Sequence, residues 1–392
     1  MNANLEDRIL ASLARLLDEN RDDLLGTNRS DIENCPQDDA VIVDRLKIDQ
    51  RKIDGMIASV QKVQDLADPG GHVLSSYTRK DGLRIENRRV PFGTVLIIFE
   101  ARPDVCVEAA AIALKGGNRI LLKGGKEARG SNLFLADLWR RALIENNADA
   151  SLVGYLDISR EETQRLIVGE TEKFDLVIPR GGCALIDFVL KNSKAPVLVS
   201  GRGNNFLYVD KNADLDMAVR IAVDGKSRLS VCNALDKIFI HKDLLSKAQS
   251  LADPLRAAGI EIFGDTAVSS VDPKMHLIED ETIWYEEFLA ARIAIGMVDS
   301  LDDAIAKINK YSGGHSASIV TSDTLAAERF LAEVDCAAVY HNASVRFTDG
   351  GEFGLGAEIA ISTQKLHFRG PLGAEHLMTN KWFVYGDGQV RR

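Results

Sequence analysis

No apolar run in this 392-residue chain approaches the roughly 20 residues that cross a bilayer. The first 25 residues, MNANLEDRILASLARLLDENRDDLL, carry acids throughout and contain no apolar h-region. Neither a signal peptide nor a transit peptide is therefore expected, and no membrane association. Cysteine is scarce: five residues, at 35, 106, 183, 232 and 336, with no CxxC pair. That odd, scattered set is neither a disulfide framework nor a zinc site, and it fits a reducing cytoplasm. The seven histidines show no HxxxH or HxH spacing, so no metal is expected. Positive charge is also short: 48 Lys and Arg against 58 Asp and Glu give −10, which argues against a nucleic-acid partner. A local basic pocket for a small anion stays open. There is no tandem repeat, no low-complexity tract and no full GxGxxG pattern.

What is present is an ordinary globular composition, 45% hydrophobic and 27% charged, in a chain long enough for two or three domains. Ile9, Leu10, Leu13, Leu16 and Leu17 recur on one helical face, and a second amphipathic stretch covers about 41–67. VLSSYTRKDGLRIENRRV then alternates around Asp81-Gly82, a hairpin dipeptide. Its polar strands would not fill a core, so it reads as a projecting arm that pairs with another subunit. After the arm, apolar strand runs alternate with helical patterns: TVLIIFEA, RILLKGG, LVGYLD, FDLVIPRGG and APVLVSG are the strands. A second series includes DKIFIH, ARIAIGMV, SASIVTSD and AAVYHN. This alternation is the mark of doubly wound parallel sheets, here in two α/β halves. The tail KWFVYGDGQVR is aromatic and strand-like.

Cys232 lies near the junction of the halves, in SRLSVCNALDKIFIH, with Ser230 and Asn233 for neighbours. A core cysteine normally has apolar surroundings. Cys106, in DVCVEAAAIAL, has them and reads as core. Cys183 opens a helix after RGG, where the dipole lowers a thiol pKa, and is a second candidate nucleophile.

Seven stretches carry a closer resemblance: RVPFGTVLIIFEARPDV, LKGGNRILLKGGKEA, IPRGG, SVCNALDKIFIH, EEFLA, NKYSGGHSASIVT and NASVRFTDGGEFGLGAEIAISTQKLHFRGPLG. In that order they resemble the gamma-glutamyl phosphate reductases, or glutamate-5-semialdehyde dehydrogenases, proline-biosynthesis members of the aldehyde dehydrogenase superfamily. The resemblance runs from about residue 5 to the C-terminus. It implies an aldehyde-dehydrogenase-like α/β fold: a Rossmann-like cofactor domain (1–72 and 91–225, plus about 350–373), an α/β catalytic domain (226–349), and a small β oligomerisation element (73–90 and 374–392). It implies NADPH-dependent reduction of L-glutamyl 5-phosphate to the semialdehyde, through a cysteine thioester, by a cytoplasmic homodimer or homotetramer.

The resemblance also distributes roles. Cys232, with Asn233 beside it, is the catalytic position, and the Cys232 N–H serves the oxyanion. Ala101 stands where aldehyde-oxidising members carry an asparagine. Arg102 after it suits the departing phosphate, or is a surface arginine capping a helix. Lys123 and Lys126 suit the adenine ribose and 2′-phosphate of NADP. Arg180, Gly181 and Gly182 close a strand and open a helix where backbone N–H groups meet a pyrophosphate or nicotinamide. Glu287 matches the glutamate that holds the nicotinamide ribose. Asn342, Ser344 and Arg346 are expected on the substrate, Arg346 at its carboxylate. His315 and His341 are general acids by residue type or structural histidines.

Departures exist. GRGNNFLYVD places Asn205 and Phe206 where a GNCH-like stretch is usual, and SRLSVC replaces RPGVC. Ser200 occupies the strand-end position where thioester-hydrolysing relatives carry a glutamate base. Two other readings follow: a hydrolytic or CoA-acylating aldehyde dehydrogenase, or a catalytically silent homologue partnering glutamate kinase.

Overall fold

The computed structural model describes residues 4–35 and 40–391. The chain forms two compact units: Met1–Val199 with Gly354–Ala360 and Leu372–Arg392, and Ser200–Phe353 with Ile361–Pro371.

In the first unit, four parallel strands lie in the order Val153–Tyr155, Arg119–Lys123, Thr94–Phe99, Leu176–Arg180. The central run Thr94–Phe99 is buried on both faces from Val95 onward, as a strand covered by helices on both sides requires. From Thr94–Phe99 the chain winds outward to one side and returns to place Leu176–Arg180 on the other. The switch point therefore falls between the carboxyl ends of these two strands, where open α/β sheets bind ligands. Helix Leu5–Glu19 buries Ile9, Leu10, Leu13, Leu16 and Leu17, and Asn4 caps it by accepting from the Asp7 N–H at 2.8 Å.

The arm is a hairpin, Val73–Thr78 against Arg84–Pro91, and the tail strand Met378–Tyr385 adds to it as a third antiparallel strand. Arg84 lies 4.2 Å over the Tyr385 ring. Strand Val73–Thr78 is exposed along its whole length, and Tyr77, Trp382 and Val384 are exposed as well.

The second unit carries seven strands, all pairs parallel, in the order His276–Leu277, Glu261–Gly264, Arg292–Val298, Leu235–His241, Asn205–Val209, Ser316–Val320, Ala338–His341. Three readings change here. The boundary expected after residue 225 falls after Val199, because Asn205–Val209 pairs with Leu235–His241 and Ser316–Val320 inside this sheet. APVLVSG makes two isolated bridges, Val197 to Val177 and Ser200 to Ser362, instead of a strand. Residues 261–277 add two short strands at one end of the sheet and the helix Thr266–Val271, too short for periodicity to reveal.

Candidate active site

Cys232 sits in a tight turn closed by the Ala234 N–H donating to the Val231 carbonyl at 3.1 Å. The turn leads directly into Leu235–His241, so the cysteine lies at the amino edge of the parallel sheet. The same edge receives the loops before Asn205–Val209, Arg292–Val298 and Ser316–Val320. Those three segments build the surroundings of Cys232.

Asn205 is fully buried, and its side-chain NH2 donates to the carbonyls of Cys232 (2.7 Å), Ala234 (2.7 Å) and Gly203 (3.0 Å). Gly203 packs so tightly on the turn that an added Cβ would collide with the Cys232 main chain. The Gly203 N–H donates to Glu287 Oε1 at 2.9 Å, which brings Glu287 to the same loop. Asn204 donates to the carbonyls of Trp284 and Tyr311, at 2.6 and 2.8 Å.

Asn233 braces the turn from its other side. Its NH2 donates to the carbonyls of Arg346 and Thr348, each at 3.0 Å, and its Oδ1 accepts from the Arg346 guanidinium. Both ends of the Asn233 amide are thus engaged by the 346–348 segment. Ser344 accepts from the Arg346 N–H at 3.2 Å and so caps the short turn that carries Arg346.

The structure separates Asn342 from this group. Asn342 has φ 56° and exchanges hydrogen bonds with Thr321, accepting from its N–H at 3.0 Å and donating to its carbonyl at 3.1 Å. Thr321 follows Ser316–Val320, so Asn342 lies at the carboxyl edge, opposite the cysteine. The chain then doubles back along that strand, with Ser318 donating to the Ala343 carbonyl at 2.7 Å and Ser316 bonding Thr348 at 2.8 Å. This reversal delivers Arg346 to the amino edge and leaves Asn342 behind. Asn342 is thus a turn residue that the structure does not bring together with Ser344 and Arg346.

Among cysteines whose side chains are described, Cys35, Cys106 and Cys336 are buried and Cys232 is half-buried. Burial, reinforced by Asp104, pushes the Cys106 thiol well above its usual value. Burial pushes Cys336 up to about 11. The side chain of Cys183 lies outside the described residues. His315 is fully buried with Nδ1 2.8 Å from Ser316 Oγ, and burial pushes it down to about 4, which makes it a neutral structural residue.

In the first unit, three motifs meet at the switch point. The Glu100 N–H donates to the Arg180 carbonyl at 3.2 Å, and Glu100 Oε2 accepts from the Gly182 N–H at 3.0 Å. A Cβ on Gly181 would stand 2.6 Å from the Glu100 carboxyl carbon, and one on Gly125 would stand 3.4 Å from the Ala101 nitrogen. Ala101 has φ 30°, a left-handed conformation that alanine rarely adopts, immediately before Arg102. Three chain segments thus approach closely at these glycines. The Gly182 N–H expected on a cofactor already serves Glu100. The Arg180 guanidinium donates to the Ile359 carbonyl. Glu108, one turn into Val105–Lys115, is pushed up to about 7 by burial and Asp104, against the pull of Arg180, Arg102 and Lys52.

Lys123 ends its strand half-buried, with Nζ donating to the Gly124 carbonyl at 2.7 Å. Burial lowers its ammonium, while Asp157 and Glu127 raise it. Lys126 is exposed at the start of the turn Lys126–Ala128. Together they form a cationic strand end suited to a phosphate. Among the described residues no group of His, Cys, Asp and Glu forms a metal site, and no helix is long and apolar enough to cross a membrane.

Asn205 and Gly203 escaped the sequence reading as site residues. Their roles depend on which strands neighbour which, and the one local signal was the departure at Asn205.

A half-buried cysteine at the amino edge of one α/β sheet, with a glycine-lined switch point in another, is the arrangement of an aldehyde dehydrogenase. The model of the aldehyde dehydrogenase family matches residues 1–257 and 266–356. Gamma-glutamyl phosphate reductase of Clostridium kluyveri is 42% identical over 396 residues, covering 100% of this chain and 94% of that protein. The enzyme of the same name from Dictyoglomus thermophilum is 39% identical, with 100% and 95% covered. The crystal structure of gamma-glutamyl phosphate reductase from Thermotoga maritima superposes with a TM-score of 0.94 at 41% identity, covering 100% of this chain and 96% of the other. The chain belongs to the gamma-glutamyl phosphate reductases of the aldehyde dehydrogenase family.

Proposed function

We propose that this protein reduces L-glutamyl 5-phosphate to L-glutamate 5-semialdehyde with NADPH, releasing phosphate, in proline biosynthesis. The observation that supports this most is the Cys232 turn: a half-buried thiol whose peptide frame is held by Asn205, Gly203 and Asn233. Sulfur attack on the acyl carbon forms a C–S bond and breaks the C–O bond to phosphate, which leaves with the electron pair. The Cys232 N–H donates to the oxyanion. Bound NADPH supplies the hydride that reduces the acyl group. The Cys232 sulfur then leaves as thiolate when the C–S bond breaks, and the aldehyde is released. Ser200 replaces a glutamate base here, so no carboxylate at that position activates water against the thioester.

Lys123 and Lys126 hold the adenine ribose and 2′-phosphate, and the Arg180–Gly182 turn supplies the floor beneath the pyrophosphate or nicotinamide. Glu287 takes the nicotinamide ribose. Arg102 holds the leaving phosphate. Arg346, steadied by Asn233 and by Ser344, meets the substrate carboxylate. The arm presents an exposed strand edge and exposed Tyr77 and Trp382, features that suit pairing with a second copy into a homodimer or homotetramer. The protein acts in the cytoplasm. The test is the reverse reaction: NADPH formation from pyrroline-5-carboxylate and phosphate, wild type beside Cys232→Ala. The variant is expected to fold and to lose essentially all activity. Phosphate-independent turnover of simple aldehydes would replace this reading with that of a hydrolytic dehydrogenase.

A further inference from the structure

Strand Leu235–His241 begins with an irregularity. Asn205 pairs with Leu235 and Phe206 with Lys237, so Asp236 is an extra residue with no opposite number. Such a bulge breaks the alternation of side chains and re-aims them. Here two successive residues, Asp236 and Lys237, both reach the segment Glu286–Phe288. Asp236 Oδ2 accepts from the Phe288 N–H at 3.0 Å, and its Oδ1 accepts from Lys226 Nζ at 2.7 Å. Lys237 Nζ donates to the Glu286 carbonyl at 2.7 Å and lies 3.5 Å from the centroid of the Phe288 ring. Asp236 is 1% exposed and Lys237 0%.

The carbonyl before Glu287 and the N–H after it are therefore both held from the strand that follows the cysteine turn. Glu287 itself is left to project between the two grips, where its carboxylate meets Gly203. Two lysines and one carboxylate are buried together, an arrangement whose desolvation costs stability relative to a packed apolar core.

We infer that Lys237 is a positioning residue, which with Asp236 and Lys226 fixes the Glu286–Phe288 segment so that Glu287 is presented to the cofactor. The inference rests on the reading of Glu287 as a cofactor ligand. Burial pushes the Lys237 ammonium down to about 7, with Lys226 reinforcing the shift and Asp236, Glu286 and Glu287 opposing it. A charged Lys237 makes a charge-assisted bond to the Glu286 carbonyl and a cation–π contact with Phe288. The neutral amine keeps only a weaker bond. The grip on Glu287 consequently loosens as pH rises through the neutral range.

The experiment measures the NADPH dissociation constant by fluorescence titration at about pH 6.5 and about pH 8.5, a span bracketing the Lys237 titration. Wild type, Lys237→Met, Lys237→Gln and Glu287→Gln are compared, with circular dichroism to confirm folding. The cofactor's own ionisation is common to all four. Wild type is expected to weaken by roughly threefold across that span relative to Lys237→Gln, whose neutral amide cannot titrate. Lys237→Met is expected to bind about tenfold more weakly than wild type at the lower pH, with kcat changing less than KM. If Lys237→Met does not fold, the comparison of wild type with Lys237→Gln decides. Matching pH profiles in those two, with Glu287→Gln weakened, would overturn the clamp and leave the role of Glu287 standing. Unaltered binding by Glu287→Gln would instead overturn the cofactor reading of that residue.

Discussion

The side-chain NH2 of Asn205 donates to the main-chain carbonyl of Cys232 at 2.7 Å, from a position with no solvent exposure. One amide also holds the carbonyls of Gly203 and Ala234, so the loop before its own strand and the cysteine turn share a single buried donor. A turn fixed in this way keeps both the sulfur and the Cys232 N–H in one orientation, and attack on a carbonyl followed by oxyanion stabilisation requires both at once.

Asn205→Ala removes the donor and leaves three carbonyls without it, a loss of about 2 kcal/mol in stability for buried groups. The larger effect is expected on catalysis, because the turn gains freedom: kcat should fall by about tenfold or more, with KM nearly unchanged. Urea melts and steady-state kinetics on the same preparation check this. Unchanged kcat would mean that the turn holds its shape without Asn205.

Gly203→Ala sets a harder condition. Its Cβ would meet the Cys232 main chain, and backbone is not a flexible side chain that can swing away. A loss of about 3 kcal/mol or more in stability is expected, with activity abolished in whatever folds. Gly26→Ala, in the interior of helix Arg21–Glu33 with nothing within 4 Å of the added carbon, is the control and should be more stable than wild type by about 0.5–1 kcal/mol, because alanine favours the helix.

Thiol reactivity should divide the cysteines along the lines of burial. Alkylation of the native protein near neutral pH is expected to mark Cys232 and to spare Cys106 and Cys336, whose thiols are buried and raised. Peptide mass spectrometry after brief iodoacetamide treatment reads the pattern. Saturating NADPH plus substrate should slow the labelling of Cys232. Preferential labelling of Cys106 would contradict the packing around Asn132 and Trp139 that encloses it.

Lys126 offers a test of nucleotide choice. It is exposed, so Lys126→Glu should not disturb folding. Reversing the charge opposite a 2′-phosphate is expected to raise KM for NADPH by about tenfold, while leaving KM for NADH within about twofold. Equal effects on both cofactors would place the 2′-phosphate elsewhere.

The parts of this molecule legible in the sequence are those written in consecutive residues. Apolar runs such as Val95–Phe99 announced buried strands, and Asp81-Gly82 announced the arm's turn, because both signals are local. Cys232 stood out by its polar neighbours. Asp236 did not, because a bulge is a relation between two strands, and its partner strand lies some 30 residues earlier in the chain. The separation of Asn342 from Arg346 was hidden for a related reason. Asn342 sits four residues from Arg346, yet the chain reverses between them and sends the two to opposite edges of the sheet. APVLVSG had the composition of a strand but forms only isolated bridges, to Val177 and to Ser362, and composition does not say whether an edge is available.

His315 provides a pH signature in stability. Its Nδ1 lies beside Ser316 Oγ, its Nε2 has no partner, and burial lowers it from 6.5 to about 4. The folded value lies below the unfolded one, so between them the unfolded chain binds more protons. The stability this residue contributes is therefore fully present above pH 6.5 and is lost as pH falls toward 4. Between about pH 7.5 and about pH 5 the loss amounts to about 2 kcal/mol. His315→Gln cannot titrate, so its urea midpoint should shift less with pH than that of wild type. The difference between the two proteins should grow from about pH 6.5 down to about pH 4, and near pH 5 it is read above most of the carboxylate titration. Parallel pH dependence in the two would show that the ring is protonated in the folded state, and that water or a second polar group reaches Nε2.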